Sequence, residues 1–311
     1  MSNPTNAALD QTDTLGHEKI GDVGAHPPSS RYLIYSQAFG LRERPFSLIP
    51  DPNFLFWSDN HSRAYAMLEY GLATFAPITV ITGEVGAGKT TLIRHLLRGA
   101  APDLRIGLIS NAHGSRGQLL HWVLSSLGQD IEERVSYVKR FAKFEAFLRQ
   151  EHAAGRHTVL IFDEAQNLSA KMLEELRCFS NLNCEVEELL QIVLVGQPEL
   201  RGVIGRPEML QFAQRVSAHF HLGGMPAEAV AKYIAHRLIV AGTDRQIFTP
   251  SACDLIFIAS RGLPRVINQI CDYALVYAFA EQRTTVDDEL VRLVIADRKI
   301  QPVNAASAPA S

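Results

Sequence analysis

Long apolar runs, paired cysteines and a strong net charge are all missing from this 311-residue sequence. The longest apolar candidate, 274–280, is far shorter than the roughly 20 residues that a membrane-spanning helix needs. The four cysteines form no CxxC pair, so we expect buried free thiols rather than a disulfide or zinc framework. A formal net charge of −3 argues against a generally basic nucleic-acid binder, although a local basic patch is compatible with it.

The first 30 residues also lack the basic-then-apolar order of a signal peptide. They are rich in Asn, Thr, Asp, Gly, Pro and Ser without apolar periodicity, which predicts a disordered leader over 1–30. A short flexible tail is expected at 301–311. Because 47% of the residues are hydrophobic and 20% are charged, the composition is that of an ordinary globular protein, and we expect a cytoplasmic location.

The strongest positive signal is a phosphate-binding loop. The pattern GxxxxGK[ST] follows the apolar run 77–82, typical of a buried strand, and precedes leucines and isoleucines at helical spacing. Glycines let the backbone curl so that successive N–H groups point at phosphate oxygens, and the helix N-terminus adds its positive dipole end. Lys89 is predicted to contact the β- and γ-phosphates, and the Thr90 hydroxyl to ligate Mg²⁺. The predicted nucleotide-binding residues are Gly83, Glu84, Val85, Gly86, Ala87, Gly88, Lys89, Thr90 and Thr91.

Two carboxylates close a second apolar run. Asp163 and Glu164 follow the four apolar residues 159–162 at the edge where an open parallel sheet places its ligands. Asp163 is predicted to hold Mg²⁺ through its water shell, and Glu164 to activate a water against the γ-phosphate of ATP. The alternative is a carboxylate pair that only caps the next helix, and the upstream phosphate loop argues against it. One further strand is expected between the two motifs, as in ATPases that use a strand-end glutamate rather than in nucleotide kinases.

Alternating short buried strands and helices predict an α/β fold with a doubly wound parallel sheet over 31–222. From residue 226 the strand pattern stops, and four helical stretches predict a small all-helical domain over 223–300. Aromatic residues between prolines at 35–57 indicate an ordered, irregular segment clamped onto the main domain. The expected strands are 77–82, 105–110, 158–162, 189–195 and a short last one at 219–222.

Gln197 is a further candidate because it follows the strand 189–195, beside the phosphate loop. Its amide would position the water or sense the γ-phosphate, and a simple turn residue is the alternative. Several other short motifs accompany those already described. They are Phe39-Gly40-Leu41, Pro45-Phe46, Pro50-Asp51-Pro52, Asp163-Glu164-Ala165-Gln166-Asn167-Leu168, Leu173-Glu174-Glu175-Leu176-Arg177, QIVLVGQPEL at 191–200, Gln214-Arg215 and Gly262-Leu263-Pro264-Arg265.

Taken together, these motifs resemble an AAA+ ATPase of the ExeA/GspA type of the general secretion pathway, from about residue 35 to 280. The resemblance implies that Gln197 is sensor 1, Arg215 the arginine finger and Arg265 sensor 2. It also implies that the helical domain is a lid and that residues 35–52 cover the adenine. ATP and Mg²⁺ would be the cofactors, hydrolysis of ATP the reaction, and a homo-oligomer the working form.

What such a motor acts on is left open by the sequence. The first interpretation is an oligomeric ATPase that assists an envelope machine (type II secretion, a pilus or exopolysaccharide export), held at the inner face of the inner membrane through protein partners. The alternative is an ATP-regulated DNA-binding protein of the transposition-helper type, against which the acidic balance argues weakly. A helicase is suggested by Asp-Glu-Ala-Gln at 163–166, but helicases more often pair two motor domains.

Overall fold

The computed structural model describes residues 35–110, 112, 116–130, 135–183 and 188–298. The leader expected at 1–30 and the tail expected at 301–311 lie outside these residues. The strands of the described part are β1 (Ile78–Gly83), β2 (Leu104–Ser110), β3 (His157–Asp163), β4 (Leu190–Gly196) and β5 (Val216–Leu222).

These strands form a parallel sheet in the order β2-β3-β4-β1-β5. The central strands β1 and β4 are buried at every position, which explains why their sequences are continuous apolar runs rather than alternating ones. The edge strands β2 and β5 include exposed residues. Because β4 lies between β1 and β3, the ends of the strands that carry the phosphate loop and the two carboxylates are separated by one strand.

Twelve α-helices accompany the sheet within the described residues, and four of the longer ones begin at a side-chain cap. Ser58, Ser136, Ser169 and Thr249 each accept a hydrogen bond from the backbone N–H three residues later. Such a cap contributes about 1 kcal/mol to helix stability, so these starting points are encoded locally. The helices are α1 (Ser36–Phe39), α2 (Asp59–Ala73), α3 (Lys89–Arg98), α4 (Arg116–Ser126), α5 (Tyr137–Ala153), α6 (Ala170–Ser180), α7 (Glu199–Ile204), α8 (Leu210–Ala213), α9 (Ala227–Val240), α10 (Pro250–Ser260), α11 (Pro264–Ala280) and α12 (Asp288–Arg298).

Helices cover both faces of the sheet. Val80 and Leu160 belong to a core that includes the buried faces of α4, α5 and α6. Their chain neighbours Ile81 and Ile161 belong to a second core with α2 and α3. Since successive residues of a strand point to opposite faces, the two cores lie on opposite sides of the sheet. This arrangement confirms the expected doubly wound α/β fold.

Helices α9 to α12 form the predicted helical domain (227–298) around a third core. Most of the aromatic residues of the N-terminal segment (35–57) pack in this core, whereas Trp57 contacts Tyr65 of α2 and His95 of α3 beside the sheet. None of the described helices is both long and apolar enough to cross a membrane. The residues of the N-terminal segment buried in the helical domain are Tyr35, Phe39, Leu41, Phe46 and Phe54.

Polar contacts add to this attachment. The buried Tyr35 hydroxyl donates to Asp272 Oδ1 at 2.5 Å, and the guanidinium of Arg44 forms an ion pair with the same carboxylate. Burial and the hydrogen bond to Asp272 raise the pKa of Tyr35, so the phenol stays protonated and remains a donor. The N-terminal segment is therefore held to α11 by both apolar packing and charge.

Candidate nucleotide-binding site

The phosphate loop (83–91) connects β1 to α3 and is shaped by two glycines. Gly86 and Gly88 have φ of +80° and +102°, in the left-handed region that favours glycine. A Cβ on Gly86 would lie 2.3 Å from the Cβ of Arg265, and one on Gly88 would lie 2.7 Å from Nε2 of His61. Backbone conformation and close packing therefore both require glycine at these positions. The first N–H groups of α3 lack helical partners, which suits an anion at this end of the helix.

Lys89 lies inside the loop, with 7% of its surface exposed. Its Nζ donates to the carbonyl oxygens of Gly83 at 2.6 Å and Glu84 at 3.0 Å. Burial lowers the pKa of Lys89, while the nearby carboxylates of Glu164 and Asp163 oppose that change. The loop thus concentrates a positive charge beside its own backbone donors, which is the chemistry that binds polyphosphate.

The other predicted loop residues divide into two groups. Gly83 and Glu84 supply carbonyl oxygens to Lys89, and Ala87 is fully buried beneath the loop. The remainder line one cavity together with Glu164, Gln197 and Arg265. The lining residues of the loop are Val85, Gly86, Gly88, Lys89, Thr90 and Thr91.

The predicted metal ligands are adjacent. The Thr90 hydroxyl donates to Asp163 Oδ2 at 3.0 Å, and Asp163 Oδ1 accepts the Glu164 N–H at 3.0 Å. Burial raises the pKa of Asp163, although the hydrogen bonds from Thr90 and from the Glu164 N–H and the charge of Lys89 act in the opposite direction. Hydroxyl and carboxylate oxygens are the ligands that Mg²⁺ prefers, so these residues fit the predicted metal. When bound, Mg²⁺ would offset the negative charge of the phosphate oxygens.

Glu164 is held by two amides. Its Oε2 accepts hydrogen bonds from Gln166 Nε2 at 2.6 Å and from Gln197 Nε2 at 3.3 Å. The backbone N–H of Gln197 donates to Gln166 Oε1 at 2.9 Å, so Gln166 joins the end of β4 to the glutamate. Glu164 also adopts φ of +56°, a left-handed conformation that costs a non-glycine residue roughly 1–3 kcal/mol and clusters at functional sites.

Arg265 contacts the loop from the helical domain, whereas Arg215 does not reach it. The Arg265 N–H donates to the Gly86 carbonyl at 3.1 Å, and its side chain lines the cavity. Arg215 precedes β5, whose residues pair with β1 from Ile78 onward. Arg215 is therefore near the N-terminal ends of the strands, whereas the phosphate loop follows the C-terminal end of β1. The length of a strand separates the two by roughly 20 Å. Its guanidinium donates to Asn181 Oδ1 at 2.6 Å.

The sequence assigns no site role to two residues that the structure places at the site. Gln166 holds Glu164 and Gln197 from beside the cavity, and in the sequence it stands out only as part of the Asp-Glu-Ala-Gln motif. Arg237 has 7% of its surface exposed, lies 4.5 Å over the Phe54 ring and donates to the carbonyls of Pro45 and Ser47. Nothing in the local pattern of α9 distinguishes this arginine from a surface residue, because its partners are about 190 positions away.

The comparisons with known proteins agree with this geometry. Residues 74–204 match the family described as AAA domain. The chain is 40% identical over 247 residues to General secretion pathway protein A of Aeromonas hydrophila. This chain is an AAA+ protein related to general secretion pathway protein A. The match covers 79% of the AAA+ chain and 45% of the relative, so the chain spans less than half of that protein's length.

Solved structures share the fold of the AAA+ chain. The ORC2 protein of Aeropyrum pernix, solved as ADPNP-ADP complexes, superimposes with a TM-score of 0.61 at 18% identity, covering 82% of this chain and 71% of that one. Drosophila ORC bound to DNA gives a TM-score of 0.64 at 18% identity, covering 92% and 71%. At this identity the likeness establishes the fold alone.

Proposed function

We propose that this AAA+ chain binds ATP with Mg²⁺ and hydrolyses it to ADP and phosphate. The observation that carries the proposal is the contact between Thr90 and Asp163 at 3.0 Å, next to Glu164, in a cavity lined by the phosphate loop. One cavity thereby combines phosphate-binding donors, oxygen ligands for a hard cation and a carboxylate that can accept a proton.

In this proposal, each residue near the phosphates has one task. Lys89 contacts the β- and γ-phosphates, and Arg265 reaches the nucleotide from the helical domain. Glu164 accepts a proton from water, whose oxygen attacks the γ-phosphorus while the bond to the bridging oxygen of ADP breaks. Gln166 and Gln197 support this step because their amides orient the accepting carboxylate.

We further propose that ATP turnover in a homo-oligomer assists an envelope machine, through protein partners at the inner membrane. Support comes from the 40% identity to a protein named for the general secretion pathway. Gln197 acts as sensor 1 in this scheme, and Arg215 serves the neighbouring subunit. No observation favours the DNA-binding alternative, since the structures of DNA-associated proteins are similar at 18% identity only.

Lys89→Ala is expected to weaken ATP binding about 100-fold, because it removes the charge-assisted hydrogen bonds to two phosphate groups. Calorimetric titration with MgATP measures the affinity. Lys171→Ala, which removes an exposed lysine from α6, is the matched control and is expected to bind as the wild type does. Equal affinities of the Lys89→Ala and wild-type proteins would contradict the proposed site.

The same variant tests the envelope role in cells from which the native gene has been deleted. Wild-type protein is expected to restore export, whereas Lys89→Ala is not, although it accumulates to the same level. If a Lys89→Ala protein that has lost ATP binding still restores export, the envelope role does not depend on nucleotide, and that part of the proposal is wrong.

MgATP is expected to slow hydrogen exchange over the helical domain and the N-terminal segment together. The two share one hydrophobic core, and Arg265 links the domain to the phosphate loop. Gly223 is the expected hinge, because nothing lies within 4 Å of a Cβ there, whereas Gly224 is packed against the carbonyl of Arg261. Peptides of β4 are the internal control, since they are buried throughout. Identical protection with and without MgATP would instead indicate a rigid helical domain.

A further inference from the structure

A buried histidine contacts the phosphate loop and lies in the wall of the same cavity. His61 lies in the first turn of α2 with 4% of its surface exposed. Its Nε2 is 3.0 Å from the Ala87 carbonyl oxygen, and its Nδ1 is 2.8 Å from the Ser58 hydroxyl. Both ring nitrogens are therefore engaged within the protein, and one of them is joined to the centre of the nucleotide-binding loop.

The partners of the ring fix its tautomer. A carbonyl oxygen only accepts, so Nε2 carries the proton and donates to Ala87. The Ser58 hydroxyl then donates to the unprotonated Nδ1, while its oxygen accepts the backbone N–H of His61 at 3.3 Å as the cap of α2. Burial lowers the pKa of His61, which keeps the ring neutral near pH 7 and preserves this pattern.

The planar peptide bond between Ala87 and Gly88 links the His61 contact to the direction of the Gly88 N–H. In a trans peptide the carbonyl and the following N–H point in opposite directions. With its oxygen directed at His61, the Ala87 carbonyl turns the Gly88 N–H away from α2. Gly88 lines the nucleotide cavity, and a Cβ at that position would lie 2.7 Å from Nε2, so the ring and the loop backbone are in tight contact.

We infer that His61 is a positioning residue of the phosphate loop, which fixes the Ala87 carbonyl and thereby aims the Gly88 N–H at a nucleotide phosphate. The inference rests on the proposed function, because it assigns a supporting group to the same cavity. It also explains why Ala87, which does not line the cavity, belongs to the loop: its carbonyl is the point of attachment to α2.

The binding test uses calorimetric titration of the full chain with MgADP, which avoids turnover. His61→Leu removes the donor and is expected to weaken affinity roughly tenfold, since one charge-assisted hydrogen bond to phosphate loses its alignment. His61→Gln places an amide donor near the position of Nε2 and is expected to bind within about twofold of the wild type. His61→Asn keeps an amide but is one methylene shorter, and is expected to resemble His61→Leu. If His61→Leu fails to fold, the Asn and Gln variants supply the comparison.

A nuclear magnetic resonance experiment separates alignment from general stability. Labelling with [¹³C-carbonyl]alanine and [¹⁵N]glycine selects Ala-Gly peptide bonds, of which the sequence has three, at Gly88, Gly155 and Gly242. In the wild type, MgADP is expected to shift the Gly88 amide downfield and leave the other two unchanged. In His61→Leu that shift is expected to be reduced, and in His61→Gln it is expected to be retained.

Each outcome supports or overturns a distinct claim. If wild type binds MgADP, Lys89→Ala does not, and His61→Leu binds with an unaltered Gly88 shift, the positioning role is wrong while the proposed function stands. If His61→Gln is as weak as His61→Leu, the ring acts by filling space and not by donating, which also overturns the inference. If wild type binds neither MgADP nor MgATP, the proposed function and the inference fail together.

Discussion

Arg215→Ala is expected to bind ATP as tightly as the wild type and to hydrolyse it roughly 10³–10⁵-fold more slowly, the range for loss of an arginine supplied by a neighbouring subunit. In its own chain Arg215 lies at the N-terminal end of β5, a strand length away from the phosphate loop. Its removal therefore leaves the local binding residues intact. The local phosphate contacts are already assigned to Lys89 and Arg265. An arginine at this end of the strands is available to a second chain.

The chemistry of the residue suits that role. Arginine remains protonated at all relevant pH values, and its planar guanidinium contacts two phosphate oxygens at once. Within the chain, Asn181 Oδ1 accepts one hydrogen bond from Arg215 at 2.6 Å, and the Ser180 carbonyl is 3.5 Å from it. Among the described residues these neutral partners orient the side chain without pairing it with a carboxylate, so its charge is retained for a phosphate of the neighbouring subunit.

Mixing two inactive variants tests the shared site directly. Arg215→Ala with Lys89→Ala is expected to recover part of the activity, because some interfaces then join an intact Lys89 to an intact Arg215. Turnover per subunit of the wild type is expected to rise with protein concentration as the oligomer forms. Arg292→Ala, whose side chain is 67% exposed on α12, is the matched control. A mixture that stays inactive although the variants co-assemble would exclude hydrolysis between subunits.

Glu164→Gln is expected to bind MgATP normally and to lower turnover about 10²–10⁴-fold, the usual contribution of a general base. The substitution preserves shape but removes the basic carboxylate oxygen that accepts hydrogen bonds from Gln166 and Gln197. In the proposed function, binding depends on the phosphate loop and on Asp163, which the substitution leaves in place. The variant is therefore expected to accumulate in the ATP-bound state.

Two measurements check this prediction. Steady-state phosphate release reports turnover, and the nucleotide recovered after rapid gel filtration reports whether ATP or ADP is retained. Glu145→Gln, a change at a partly exposed residue of α5 beside Arg149, is the control for charge. Unchanged turnover in Glu164→Gln would refute the assigned role, and loss of binding would show that Glu164 serves the phosphate loop rather than the water.

Features that depend on neighbouring residues were predictable. The phosphate loop requires glycines at fixed spacing between a strand and a helix, and the structure places positive φ at Gly86 and Gly88, as such a turn requires. Buried parallel strands have to be continuous apolar runs, so the central strands and the pair Asp163-Glu164 at the end of β3 were found at their places. The last strand was expected at 219–222 and spans Val216–Leu222, because its first residues are partly exposed and carry little apolar pattern.

The sequence by itself therefore determined the loop, the strand-end carboxylates and the order of sheet and helices, since these are encoded over spans of a few residues. Only the tertiary structure decided that most aromatic residues of 35–57 pack in the helical core, that Gln166 holds Glu164, and that His61 reaches Ala87. It also separated Arg215 from the cavity by the length of a strand. These contacts join residues that are far apart in the sequence. They form only when the helices pack on the sheet, so the local spacing of residues does not predict them.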